Sequence, residues 1–382
     1  MMSFKKCILL LLVAGFSVVR GRAVKKPIEI HKILVVQMAK LGDMVCTTPM
    51  FRALRTNFPT ADLFVLGNAL NRGVVAGNTD VTGYIVFTGI VDVFNRLRTE
   101  RFDCAFLAGG PDVVSTAVSF LSGIPLIVSP RITGGESSLY DLWYRLTASF
   151  VVTQSHAIGT YAPREYLRLL EPVGITSDDT RKHLVFEASD EAHMRGVLVR
   201  LGIRDEDLLI GISPSSGNKI KQWPPERFAA VADHLIETYG AKIIIIGTER
   251  DTEEITDMMN YVKHNSEVHN AKGLLPIGSL KALMPRLRLF ISVDTGPIYI
   301  AEAFDTATVD IVGPMDEREQ PPRGPGHAVV VAPNRGIPAL NIMNAHGYDR
   351  EEAKKQTDAI TTQMVIDACA PYLPNPIKNY ER

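Results

Sequence analysis

From Lys32 onward the chain alternates short β-branched runs with segments of helix length, and it does so in both halves. The first half holds "KILVV", "ADLFVLG", "GYIVF", "FDCAFLAGG" and "GIPLIVSP"; the second holds "LLIGIS", "KIIIIG", "LRLFISV" and "TATVDIVG". Strands covered on both faces read as continuous apolar runs rather than as alternating ones. Such strands with helices between them build a parallel α/β sheet. A helix is expected over Thr48–Phe58, stopped by Pro59, and another from about Ala162 to Leu170. At 382 residues the chain exceeds what one core usually serves. The pattern weakens between Arg131 and Arg181 and then restarts. We therefore expect two doubly wound, Rossmann-like domains at 31–190 and 191–355, a separate segment at 1–30, and a C-terminal helix and tail at 356–382.

Composition narrows the function classes. The chain is 46% hydrophobic and 22% charged, with a net charge of −1, so it is neither a disordered chain nor a strongly basic nucleic-acid binder. Its four cysteines are scattered, with no CxxC, which argues against a structural zinc site or a disulfide framework.

In open parallel sheets, ligands bind beyond the carboxyl ends of the strands. Four strand-to-helix loops sit there. "QMAKLGDMV" carries Asp43 near a helix start, where it reads as a helix cap or as a base for a substrate hydroxyl. Gly42 beside it permits a tight turn. "SPSSGNKIKQWPPERF" offers Ser215, Ser216, Lys219 and Lys221 before a helix opened by prolines, a setting suited to a diphosphate or to a plain solvated loop. It lacks the GxxxxGK[ST] of a P-loop. In "IIIIGTERDTEE", Glu249 stands where an acid could reach ribose hydroxyls, or simply starts a helix. "FISVDTGPIYIAEAF" places Asp294, Thr295 and Gly296 between strand and helix, where N–H donors and a hydroxyl could meet an anion. No GxGxxG is present to support a nicotinamide or flavin site.

Taken in order, "ILVVQMAKLGDMVCTTPMFRALRTNFP", "KQWPPERFAAVADHL" and "LFISVDTGPIYIAEAFDTATVDIVGP" resemble the ADP-heptose:lipopolysaccharide heptosyltransferase family, glycosyltransferase family 9. The resemblance runs from about Lys32 to Val331. It implies a GT-B fold with its two domains facing across a cleft, and an inverting, metal-independent transfer from a nucleotide-diphosphate sugar, ADP-heptose or similar, with no cofactor. The acceptor would be a lipopolysaccharide-core or other lipid-linked glycan. It implies that Asp43 is the general base, that Lys221 holds the donor phosphates with Ser215 and Ser216 nearby, that Glu249 contacts the nucleoside, and that Asp294, Thr295 and Gly296 complete the donor site. Two positions depart from the family pattern. Tyr299 stands where a histidine is usual, and Gln37 where a basic residue is usual.

The N-terminus has Lys5 and Lys6, the apolar run Cys7–Val19, then Arg20, Arg22, Lys25 and Lys26. This looks like a secretory signal with a passable cleavage site at Gly21-Arg22-Ala23. The run is short of the about 20 residues that span a bilayer. Because nucleotide sugars are used in the cytoplasm, the family resemblance implies instead a peripheral anchor on the inner face of the inner membrane. A secreted two-domain solute-binding protein and a GT-B nucleotide-sugar epimerase are the alternatives. The first would need no base at Asp43, and the second would transfer no sugar to an acceptor.

Overall fold

The computed structural model describes residues 2–25, 27–135, 137, 140–342 and 348–377. Lys26 of the basic segment and the last five residues of the tail lie outside the described residues.

Two units divide the chain between His183 and Leu184, and the pair Asn341–Ile342 is counted with the first. The first unit runs α1 (Met2–Arg20), β1 (Lys32–Gln37), α2 (Leu41–Asn57), β2 (Asp62–Gly67), α3 (Arg72–Val75), β3 (Gly83–Val86), α4 (Ile90–Glu100), β4 (Cys104–Leu107), α5 (Val113–Leu121), β5 (Leu126–Thr133), α6 (Leu142–Ala148), β6 (Val152–Ala157) and α7 (Ala162–Arg168). The second runs α8 (Ala188–Arg200), β7 (Leu209–Ser213), α9 (Pro225–Tyr239), β8 (Lys242–Ile245), α10 (Thr252–Tyr261), β9 (Val268–Asn270), α11 (Ile277–Leu283), β10 (Leu289–Val293), α12 (Gly296–Ala303), β11 (Thr308–Ile311), β12 (His327–Val330), α13 (Arg350–Asp358) and α14 (Thr362–Cys369).

Each unit holds one six-stranded sheet. The orders are β3-β2-β1-β4-β5-β6 and β12-β11-β10-β7-β8-β9. Counting from the first strand of each unit, these are one and the same order, that of the doubly wound dinucleotide-binding sheet. Every pairing is parallel. The central strands β1, β4, β7 and β10 are buried almost throughout. Helices cover both faces, because a parallel strand's successor must return over the sheet through a crossover. The order reverses between β1 and β4 in one unit and between β7 and β10 in the other. Those two switch points are where such sheets open a crevice.

Helix α2 starts at Leu41, well before the expected Thr48. The misleading residue is Pro49, which suits a first helical turn but here lies inside the helix. Proline has no N–H to give to the Val45 carbonyl, and the Thr48 hydroxyl donates to it instead at 2.8 Å. The C-terminal helix, expected to cross back to the N-terminal domain, stays with the second unit and packs on α9. The Trp223 indole N–H holds that segment by donating to the Ile360 carbonyl at 2.8 Å.

The N-terminal segment is not a detached tail. Helix α1 packs on α5 and α6, with Leu9 and Val13 buried. The Arg20 guanidinium donates to the Phe120 and Ile124 carbonyls and stacks over the Phe120 ring. Ala23, the candidate cleavage residue, is fully buried. Its N–H donates to the Phe150 carbonyl at 2.8 Å, and its carbonyl accepts from Ile127 at 3.1 Å. Among the described residues, no helix is long and apolar enough to cross a membrane.

Candidate active site

In the first unit the loop after β1 leads into α2 and presents Asp43 at its third helical position. Asp43 is half-buried, and its Oδ2 accepts the Lys40 N–H at 3.0 Å. The capping role and a role as base are therefore compatible, since the second oxygen is not needed for the cap. Gln37 is fully buried and points into the loop rather than outward. Its amide nitrogen donates to Thr47 Oγ1 at 2.9 Å, and its amide oxygen accepts the Ala39 N–H at 3.1 Å. Two more amides, of Asn68 and Asn71, both donate to the Ala39 carbonyl, at 2.9 and 3.0 Å. The residue that replaces the usual basic one thus braces the loop that carries Asp43. Gly42 is simply the second residue of α2 and has no left-handed φ, so the tight turn expected of it is made before Leu41.

In the second unit the loops after β7 and β10 meet at the switch point. The Lys221 ammonium lies 2.7 Å from Asp294 Oδ2. Both side chains are largely shielded, at 14% and 2% exposure. Tyr299, on the first turns of α12, donates its hydroxyl to the other oxygen of Asp294. The departure from histidine therefore has a structural partner. Asp294, read as a receiver of sugar hydroxyls or an organiser of its loop, is engaged on both oxygens and organises both loops. Thr295 is the N-cap of α12, with extended backbone and no side-chain capping bond; Gly296 and Pro297 follow as its first residues. Ser215 and Ser216 are buried in the turn after β7, where the Ser216 hydroxyl accepts from Asn218 at 3.3 Å.

Two candidates lie apart from this cluster. Lys219 is exposed and paired with Glu253 and Glu254 at 3.2 and 3.5 Å. Glu249 follows β8, is 75% exposed, and pairs with Lys272 at 3.2 Å. Asp43 belongs to the first unit and the remaining candidates to the second.

One acid escaped the sequence reading. Asp310, in β11 beside Ser292 of β10, is fully buried, and neither carboxyl oxygen has a hydrogen-bond partner among the described residues. Burial, reinforced by the Asp294 charge and opposed by Lys221, holds its carboxyl well above the usual range. Its only sequence signal is a lone acid within an apolar run.

Paired doubly wound sheets with loops converging at the switch points define the GT-B class of glycosyltransferase. The model of glycosyltransferase family 9 (heptosyltransferase) matches residues 93–347, and the chain belongs to that family. Lipopolysaccharide heptosyltransferase 3 of Escherichia coli (strain K12) is 23% identical over 89% of this chain and 98% of its own length. Among solved structures, a family 9 glycosyl transferase from Veillonella parvula superposes with a TM-score of 0.73 at 21% identity, covering 91% of this chain and 98% of that one. The E. coli ADP-heptose lps heptosyltransferase II superposes with a TM-score of 0.72 at 18% identity, covering 89% and 98%. The chain is thus a glycosyltransferase, which leaves the solute-binding and epimerase alternatives unfavoured.

Proposed function

We propose that this glycosyltransferase moves a heptose, or a closely similar sugar, from an ADP-sugar donor to a lipopolysaccharide-core acceptor, with inversion and without a metal. The observation that carries this reading is the Lys221–Asp294 pair, set between the two loops of the β7/β10 switch point in a family 9 chain. Direct displacement at an anomeric carbon needs a base for the incoming hydroxyl and positive charge at the departing diphosphate. Asp43 takes the proton from the acceptor hydroxyl. Lys221 and the N–H groups at the start of α12 meet the diphosphate, and Thr295 adds a hydroxyl donor. Asp294 holds the lysine in place until the donor arrives. Ser215 and Ser216 line the diphosphate turn, and Glu249 reaches the nucleoside from the end of β8. We place the enzyme on the cytoplasmic face of the inner membrane, where an ADP-sugar and a lipid-linked acceptor meet.

A thermal-shift titration with ADP, UDP, GDP, CMP and dTDP tests the donor side. A ligand at 100 times its dissociation constant stabilises the folded chain by about 2.7 kcal/mol. ADP alone should raise the melting temperature, and Lys221→Ala should abolish the shift. Equal shifts with every nucleotide, or none with any, would remove the donor assignment.

A further inference from the structure

The outward face of α1 has no protein partner. Its inward stripe, Leu9 and Val13, is buried on α5 and α6. On the opposite stripe, Phe4, Ile8, Leu11, Leu12, Val18 and Val19 stand at helical spacing and are between 42% and 87% exposed. Helix α6, packed beside α1, extends this surface with Leu142 and Leu146, at 63% and 42%. Scattered apolar residues are ordinary on a protein surface, but a contiguous apolar face of this kind marks an interaction site.

The charges around the face are of one sign. On α1, on α6 and its cap, and on the chain through Lys25, the exposed charged side chains are Lys5, Arg22, Lys25 and Arg145. The one acid there, Asp141, is ion-paired with Lys6 at 2.6 Å. From these observations we infer that the first unit docks on an anionic phospholipid bilayer, with α1 lying in the plane of the interface. The apolar face enters the headgroup–acyl boundary and the basic rim meets lipid phosphates. Arg20, the Lys6–Asp141 pair and the paired backbone of Ala23 fix α1 along the unit, so it presents a side and not an end to the membrane. The rim also argues against a second copy as the occupant, because a two-fold dimer places the same basic patch against itself. This inference rests on the membrane setting of the proposed function but on none of its catalytic residues.

Flotation of the full chain with vesicles tests it. The chain should float with phosphatidylglycerol-containing vesicles, at least tenfold less with pure phosphatidylcholine, and be released by alkaline carbonate. Leu11→Gln combined with Val18→Gln should abolish flotation and leave the melting temperature and donor titration unchanged. Three results would overturn the inference: equal flotation of the variant, carbonate-resistant insertion, or conversion of a dimer to a monomer with flotation unaltered. An inactive but floating wild type would instead condemn the transferase reading and leave the docking face standing.

Discussion

Lys221 and Asp294 stand 73 residues apart in sequence and 2.7 Å apart in space, and their contact joins the loop after β7 to the loop after β10. Each is shielded enough that its charge depends on the other. Breaking a buried pair by removing one partner costs about 3–5 kcal/mol, because the survivor is left uncompensated. With Lys221 still partly exposed, the lower end applies. Asp294→Asn should therefore lower unfolding stability by about 3 kcal/mol. Lys221→Met in the same background should cost much less than it does alone, and urea denaturation of the four proteins of the cycle checks this.

Asp310 sets a pH dependence. Its folded-state affinity for a proton exceeds that of the unfolded chain, so the folded form holds the extra proton. Stability attributable to this group is full below the unfolded carboxyl value, about 3.9, and falls as pH rises above it. Lys221, Asp294 and Glu302 are the charged groups acting on it. Asp310→Asn keeps the shape and removes the titration. It should raise the melting temperature at pH 8 by several degrees more than at pH 5; an equal effect at both values would refute the assignment.

His156 acts in the opposite direction. Burial lowers its imidazole to about 4, against the pull of Glu165. The folded state therefore takes up fewer protons, and stability is full above about 6.5 and drains as pH falls toward 4. His156→Gln should flatten the melting temperature over that window, as read by thermal scans at half-unit steps.

Gln37 braces the Asp43 loop without touching the second unit's residues. Gln37→Leu strands the Ala39 N–H and the Thr47 hydroxyl, at about 1 kcal/mol each. The turnover rate should fall about tenfold or more while ADP affinity stays as in the wild type. A matching loss of ADP affinity would mean that Gln37 serves the donor instead.

Much of the architecture was legible because fully buried parallel strands carry their signal in the residues themselves. Strands β1, β7 and β10 are continuous apolar runs, each followed by a loop and a helix. Strand β6, "VTQSHA", escaped for the converse reason: it is an edge strand, mostly part-exposed and polar. The short strands β9 and β12 lacked length. Within the candidate site, residue types at loop ends could be read but their engagements could not. Nothing in "DTGPIY" announces that Tyr299 reaches back to Asp294, or that Lys221 rather than Lys219 turns toward it. Nor could the N-terminal run show its packing, since a signal-like composition and a helix docked on α5 draw on the same residues.

The most direct test of the account is sugar transfer itself. Purified full-length enzyme is given ADP-heptose and a heptose-deficient lipopolysaccharide core, and ADP release and acceptor mass are followed for the wild type and Asp43→Asn. The account predicts acceptor-dependent release of ADP, one heptose gained per ADP, and a turnover rate lowered about 10²–10⁴-fold in the variant with ADP affinity unchanged. ADP release independent of acceptor, or full activity in Asp43→Asn, would contradict it.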